Sequence, residues 1–416
     1  MNIFFIVPYI PNLVRSRPYN LLRTLAARGH RITLATLWID ETEKQELEAL
    51  RPACAEIVAR SMPRWQSLLN SLAVLPTLVP LQSVYSWQPG LAKQLVKRLE
   101  NPQDSAGYDV IHVEHLRGAR YGETLLQAIR QAGKAIPVVW DSVDCISLLF
   151  RYSAQNNQRL FTRLISTLEI NRTARYEAHL LRTFDHTVIT SPKDREGLLA
   201  LEPDSPKEKV TVISHGVDLD YYRPDETQLR NPSMLVLSGK MSYHANVAMA
   251  QYLVKEIMPL LWAQRPELEL TIVGKDPPAS IQEFAAHPKI KVTGTVPDLR
   301  PYLQRAALAV APLRYAVGVQ NKVLEAMACA AAVVTTPQVL TSISARPGQD
   351  LMIGEDASSF AQAVLTLLDD PERRLAMQQS ARRYVEKNHS WDIVTQRLEQ
   401  VYQAAIAEKS HAAAGI

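Results

Sequence analysis

Short, uninterrupted apolar runs alternate with segments of helical spacing along nearly the whole chain, and that alternation leaves few folds open. Within the first 40 residues the run IFFIV passes through a proline-containing loop to LLRTLAARGH and then to RITLATL. The middle segment has helical spacing, and Gly29 suits its C-cap. Strand, helix and strand in so short a span imply a right-handed parallel unit. Further apolar runs follow at DVIHV (109–113), PVVWD (137–141) and HTVIT (186–190). Runs that are apolar throughout belong to strands covered on both faces, so this part of the chain reads as a parallel α/β domain.

Near residue 215 the character changes. SHGVDLDYYRPDETQLRNPS is polar and turn-rich, punctuated by Gly216, Pro224 and Pro232. It reads as a linker over 215–232, between a first domain at 1–214 and a second at 233–390. The second domain repeats the alternation with MLVLSGK, a helix from about Val247 to Gln264, LELTIVGK and a helix near 279–287. IKVTGTV, ALAVAPL and AAVVTT then add three strands. From Pro371 to Lys409 the chain is helical and charged, with a break at HSWD (389–392).

Composition narrows the function. A length of 416 residues, 47% hydrophobic, suits two or three domains with proper cores. Against 42 Asp and Glu stand 46 Lys and Arg, a net charge of +4. That is too small an excess for a dedicated nucleic-acid binder, though it suits anionic ligands. Cys54, Cys145 and Cys329 are far apart and odd in number, neither a disulfide framework nor a zinc pattern, which fits a reducing compartment. The opening MNIFFIVPYIP lacks a basic region and is broken by Pro8 and Pro11, so it reads as a strand rather than a secretory signal. The longest apolar stretch, Leu68 to Leu81, carries Asn70, Ser71, Pro76, Thr77 and Pro80 and is too broken to span a bilayer. The expectation is a cytoplasmic protein. Peripheral contact with the inner face of the membrane stays open, because 64–99 mixes Trp65, Tyr85 and Trp87 with long apolar runs and ends in Lys93, Lys97 and Arg98. A helical hairpin packed on the first domain accounts for the same segment.

The most informative stretch is 312–336, PLRYAVGVQNKVLEAMACAAAVVTT. A strand ends at a loop holding Gly318, and a helix begins near Asn321 with Lys322 and Glu325 on one face. A helix N-terminus offers free amides and a positive dipole end to a diphosphate, and Lys322 adds a full charge. Glu325 can accept hydrogen bonds from ribose hydroxyls. An ordinary salt bridge on a solvated helix has the same spacing. In the first domain no glycine-rich loop follows the first strand; Arg15 and Arg17 stand there instead, either as phosphate contacts or as solvated arginines. His115 lies just past the carboxyl end of a strand, where open α/β sheets place ligands, and Asp141 and Asp144 follow the next one. Any of the three could take an acceptor's proton, and each could equally be a cap or a loop residue. His112, in mid-strand, reads as core. Asp218 and Asp220 read as turn formers rather than metal ligands, and the histidines show no metal-ligand spacing, so no metal cofactor is expected.

KVLEAMA (322–328) followed by Val333 and Val334 resembles the donor-site signature of retaining GT-B glycosyltransferases of the group-1/family-4 kind. HGVD (215–218) with Tyr222 and Pro224, VTGTVPD (292–298), and SGKM with Asn246 resemble that family's other motifs, in the right order. The chain is similar, more narrowly, to sugar transferases found with exopolysaccharide gene sets. The resemblance implies two Rossmann-like domains facing each other across a cleft, with a C-terminal helix of about 391–410 packed back on the first. It implies transfer of a sugar from a nucleotide-sugar donor, a UDP-sugar, to a saccharide or lipid-linked saccharide acceptor, with retention and without metal. The donor would lie against Gly239, Lys240, Gly294, Val296, Gly318, Val319, Lys322 and Glu325, with Lys240 and Lys322 as the diphosphate cations. Catalytic roles would fall to His115, Asp141 or Asp144, and acceptor or phosphate contacts to Arg15 and Arg17. Three departures stand out. Val317 occupies the place of the family's first glutamate, Ala330 or Ala331 that of a glycine, and Ala245 and Asn246 that of a second basic residue. A sugar-nucleotide epimerase of the same fold, or a non-catalytic nucleotide-binding assembly protein, remain as alternatives.

Overall fold

In the first sheet β1 (Asn2–Val7), β2 (Arg31–Trp38), β3 (Glu56–Ser61), β4 (Val110–Glu114), β5 (Val138–Val143), β6 (His186–Ile189) and β7 (Val210–Val212) all run parallel. A computed structural model describes residues 1–100, 107–156, 160–225, 227–315 and 318–414. Among them the sheet order is β3-β2-β1-β4-β5-β6-β7, so the direction of travel reverses between β1 and β4. The runs expected as strands occupy β1, β2, β4, β5 and β6, and Gly29 takes a φ of +83° just past the helix Ser16–Ala27. The sequence reading omits β3 and β7, and both are edge strands. Glu56 and Arg60 of β3 are both exposed, so no continuous apolar run marks it, and β7 is three residues long.

The second sheet is β8 (Asn231–Ser238), β9 (Glu269–Val273), β10 (Ile290–Val292), β11 (Ala306–Ala311), β12 (Ala332–Thr335) and β13 (Met352–Ile353), again parallel. Its order is β10-β9-β8-β11-β12-β13, reversing between β8 and β11. The two-residue β13 is too short to leave a sequence signal. The helix expected from Val247 starts at His244 and continues through a wider π-type turn at Leu253–Ile257 into Met258–Trp262.

The chain divides into two units, Met1–Ile213 with Thr395–Ile416, and Ser214–Val394. Residues 215–232, read as a linker, therefore belong to unit 2. Val217 is in its core and donates its N–H to His389 O at 2.7 Å. Gly216 packs so tightly on the Trp391 ring that a side-chain carbon there would lie 2.5 Å from it. Asp218 Oδ1 accepts the N–H groups of Asp220 and Tyr221, which is turn chemistry. The helices Pro371–His389 and Trp391–Ala414 follow, parted at Ser390. From Thr395 the last helix is part of unit 1: Tyr402 bonds His112 (2.8 Å), Glu399 pairs with Arg28 (2.8 Å), and Lys409 pairs with Asp185 (2.5 Å). No described helix is long and apolar enough to cross a membrane.

Candidate functional site

Parallel strands put all their carboxyl ends on one edge, and ligands of open α/β sheets sit where the strand order reverses. In unit 2 that point lies between the loops after β8 and β11. Gly239 follows β8 with a φ of +150°, and a methyl group there would stand 2.9 Å from Asn246 Nδ2 and 3.3 Å from Lys322 Cε. Gly274, after β9, is more constrained still, since a methyl group would stand 1.8 Å from Gly239 O. The two glycines let three loops close together and bring the Lys322 stem against the Gly239–Lys240 turn. Asn246, where the family pattern has a second cation, instead ties that turn by donating to Lys240 O (2.9 Å).

After β11, Gly318 takes a φ of +64° and leads into the helix Asn321–Ala328. The far end of this helix is pinned: Arg382 donates to Ala328 O (2.7 Å), and Arg230 to Cys329 O (3.0 Å) and Ala330 O (2.7 Å). Cations on the final carbonyls complement the dipole and fix the axis, leaving the N-terminus at the point of reversal. Ala330 has a φ of +51°, so it holds the left-handed position that a glycine would take without strain. Near the N-terminus Lys322 Nζ donates to Gln320 Oε1 (2.9 Å). Burial pulls this ammonium down to about 8, against the attraction of Glu325. Burial likewise pushes the Glu325 carboxyl up to about 7, opposed by Lys322 and by a hydrogen bond from Tyr222. Lys240 is exposed, and Val319 is partly buried against the core.

The aromatic pair of the 215–232 segment anchors this edge, a role the sequence did not reveal. The Tyr222 hydroxyl serves Glu325, while Tyr221 reaches Asp298 (3.3 Å) and carries Arg300 4.1 Å above its ring. Arg300 in turn pairs with Asp298 at 2.7 Å. Together they hold the turn that contains Gly294, at a φ of +69°, and Val296, which is partly buried against the core. Val317 lies outside the described residues.

In unit 1 the reversal lies between β1 and β4. His115 opens the helix His115–Gln131 directly after β4, in a left-handed conformation with a φ of +63°. Its ring stands edge-on to Tyr9 (6.4 Å), and Nδ1 accepts from Arg117 N (3.3 Å). Burial, helped by Arg117, lowers the imidazole to about 3, so it is neutral. One strand over, Val143 has a φ of +66°, inside a tight turn closed by Asp144 N donating to Ser142 O (2.8 Å). Both are non-glycine residues in the left-handed region, on the ends of neighbouring strands. Asp144 sits just beyond, raised to about 7 by burial and by Asp194.

Two expectations need correcting. Arg17 does not face a phosphate: it is 3% exposed and places Nε and a terminal nitrogen 2.9 and 2.8 Å from Asp141 Oδ2. Asp141 is itself fully buried and ion-paired, so it reaches no acceptor. Arg15 is partly exposed, paired with Glu43 (3.1 Å) and stacked 5.0 Å over Tyr9. Of the three residues given catalytic roles above, His115 and Asp144 remain at this edge. Behind them His112, Glu114 and Asp141 bring ligand atoms within 4.8 Å of one another, a grouping drawn from two strands that sequence spacing hides. It does not fit a metal. The Arg17 guanidinium already supplies the cation there, and burial pushes Glu114 up to about 7, toward its neutral form.

Family comparison also finds two parts in the chain. Residues 16–221 match the model of Glycosyltransferase Family 4, and residues 232–370 that of Glycosyl transferases group 1. The chain carries two glycosyltransferase-family domains. Over 257 residues it is 25% identical to D-inositol 3-phosphate glycosyltransferase 1 of Catenulispora acidiphila, covering 55% of this chain and 60% of that protein. Over 279 residues it is 23% identical to the lipopolysaccharide core biosynthesis mannosyltransferase LpcC of Rhizobium leguminosarum bv. viciae, covering 63% and 76%. The match to the first of these thus spans less than two thirds of that relative's length. Among solved structures, Anabaena HepE in complex with UDP aligns with a TM-score of 0.65 over 97% of this chain and 100% of that one, at 13% identity. The likeness is one of fold, and the fold is GT-B.

Proposed function

We propose that the chain transfers a glycosyl group from a UDP-sugar to a saccharide or lipid-linked saccharide, retaining the anomeric configuration and using no metal. The observation that carries this reading is the pinned helix Asn321–Ala328, which aims its N-terminus, with Lys322 and Glu325, at the reversal point beside Gly239 and Lys240. The bond from the anomeric carbon to the diphosphate oxygen breaks, and a bond to the acceptor hydroxyl oxygen forms as that hydroxyl gives up its proton. Lys322, Lys240 and the helix amides take the charge of the departing diphosphate, the role a divalent ion would otherwise fill. Glu325, held by Tyr222, accepts the ribose hydroxyls. The acceptor lies against the His115 edge, where Asp144, its carboxyl raised to about 7, receives the proton.

The choice of uridine is supported by the UDP complex of the HepE structure, and a lipid-linked acceptor by the name of the lipopolysaccharide-core relative. Calorimetric titration with UDP, GDP, ADP and CMP in the presence of a chelator tests the reading. UDP should bind selectively, and Glu325→Ala should abolish that binding. Selective binding of another nucleotide overturns the base alone. No binding of any overturns the donor site. UDP binding without release of UDP from any UDP-sugar reduces the chain to a nucleotide-binding protein.

A further inference from the structure

Arg15, Arg17 and Arg117 stand about the carboxyl edge where β1 and β4 part, and their charges are balanced unequally. Arg17 is paired with Asp141 (2.8 Å) and Arg15 with Glu43 (3.1 Å). Among the described residues the side chain of Arg117 makes no ion pair and no hydrogen bond, although its Nε is buried. What it does contact is a ring, since the guanidinium carbon lies 5.1 Å over Tyr85. Stacking engages a face of the guanidinium and leaves its in-plane N–H donors unused.

The stack is held from both sides. Arg117 is the third residue of the helix His115–Gln131, and its backbone N–H donates to His115 Nδ1 (3.3 Å). Tyr85 ends the short helix Leu81–Tyr85, whose exit is clamped. The Tyr121 hydroxyl donates to Ser86 O (2.7 Å), and Asn70 Nδ2 donates to Val84 O (3.0 Å) and Trp87 O (2.8 Å). Burial lowers Arg117 from its ordinary value, and the like charge of Arg15 adds to the effect. The groups that act the other way are Tyr9 and Tyr85, whose hydroxyls carry no charge near neutrality. The unbalanced charge reaches His115 as well, where it helps to keep the imidazole neutral. Arg120, one turn further on, lies 4.5 Å over Trp87 in the same manner, but it is exposed and keeps its hydration.

A half-buried cation without a counter-ion is unfavourable by itself and is relieved by an anion. With Arg15 beside it, a doubly charged group suits the place better than a single carboxylate. We propose that Arg117 binds a phosphate group carried by the acceptor, so that the chain glycosylates a phosphorylated acceptor, either a soluble sugar phosphate or a sugar on a lipid diphosphate. The sequence points to Arg15 and Arg17 for phosphate contact, and the charge balance of the folded chain moves that role to Arg117. The proposal rests on the reading of the His115 edge as the acceptor side.

Calorimetric titration of the full chain with inorganic pyrophosphate tests the proposal, in a Lys322→Met background that weakens the diphosphate site of unit 2. Pyrophosphate should still bind. Adding Arg117→Met should weaken that binding at least about tenfold, whereas adding Arg120→Gln should change it less than about twofold. No binding in the Lys322→Met background, or binding that Arg117→Met leaves unchanged, overturns the proposal. Where Arg117→Met also melts at a lower temperature, Arg117→Lys separates support of the fold from binding: restored binding upholds the proposal, and continued loss overturns it. Glucose 1-phosphate and geranyl diphosphate distinguish the two sources, since the one whose binding depends on Arg117 names a soluble or a lipid-linked acceptor. Glucuronate should bind at least about tenfold more weakly than glucose 1-phosphate, and equal binding overturns the assignment to phosphate. Binding that depends on Arg117, in a chain that releases no UDP from any UDP-sugar, would strike the transferase reading while upholding the phosphate site.

Discussion

Lys322→Met removes a charge that the fold holds at a loss. Burial lowers the ammonium from its ordinary 10.5 to about 8, so the unfolded chain keeps this proton more firmly than the folded one. Below about pH 8 both states carry the charge and the folded state bears the whole penalty, about 3 kcal/mol for a drop of that size. Losing the bond to Gln320 offsets about 1 kcal/mol of it, the attraction of Glu325 being already contained in the lowered value. Unit 2 of the variant should therefore be more stable by about 2 kcal/mol at about pH 7.5. Between about pH 8 and about pH 10.5 the lysine of the unaltered chain loses its proton in the folded state, and the gain should vanish and give way to the loss of the Gln320 bond, about 1 kcal/mol. Urea unfolding of both proteins across that range reads the difference directly, and calorimetry on the same samples should show UDP affinity falling as stability rises. A variant no more stable than its parent near neutrality, or a gain that does not change with pH, would refute the account of Lys322 as a buried cation reserved for a diphosphate.

Arg17→Ala should destabilise unit 1 by about 3–5 kcal/mol, because it strands Asp141 and Glu114 in the interior without their cation. In thermal unfolding Arg17→Met/Asp141→Leu should recover much of that loss, and a mild effect of the single change would return Arg17 to a surface role. Gly274→Ala forces a methyl group into Gly239 O and should lower unit 2 stability by about 2–3 kcal/mol while weakening UDP binding, as the Gly239–Lys240 turn is displaced. Unchanged melting would mean that the loops are not closed as described.

How much of this could be read in advance depended on distance along the chain. The central strands announce themselves because both their faces are covered, as with IFFIV in β1 and ALAVA in β11, whereas β3 mixes Glu56 and Arg60 into a half-solvated edge. Lys322 and Glu325 are legible because three residues on a helix fix their common face. Tyr222 reaching Glu325, and Arg17 finding Asp141 at a separation of 124 residues, are products of the closed fold, and no local pattern encodes them. Arg17 is instructive. Beside Pro18 and after a polar loop it reads as a phosphate contact or a solvated arginine, but as the second residue of the helix Ser16–Ala27 its side chain turns inward onto the sheet.

The helix Trp391–Ala414 gives the chain an unusual order of completion. Its Leu398, Val401, Tyr402 and Ala405 are buried, and Tyr402 closes over His112, which stacks on Phe5 of β1 at 4.0 Å. During synthesis all of unit 2 emerges before these residues do, so the strands begun first must wait through some 180 residues (214–394) for their last covering. Amino-terminal domains ordinarily finish before their successors begin. Here a nascent chain carries an open, apolar flank on its first sheet until the residues from Thr395 onward have emerged, and a ribosome that stops before Thr395 releases a chain with that flank exposed. The unit begun first is the one finished last.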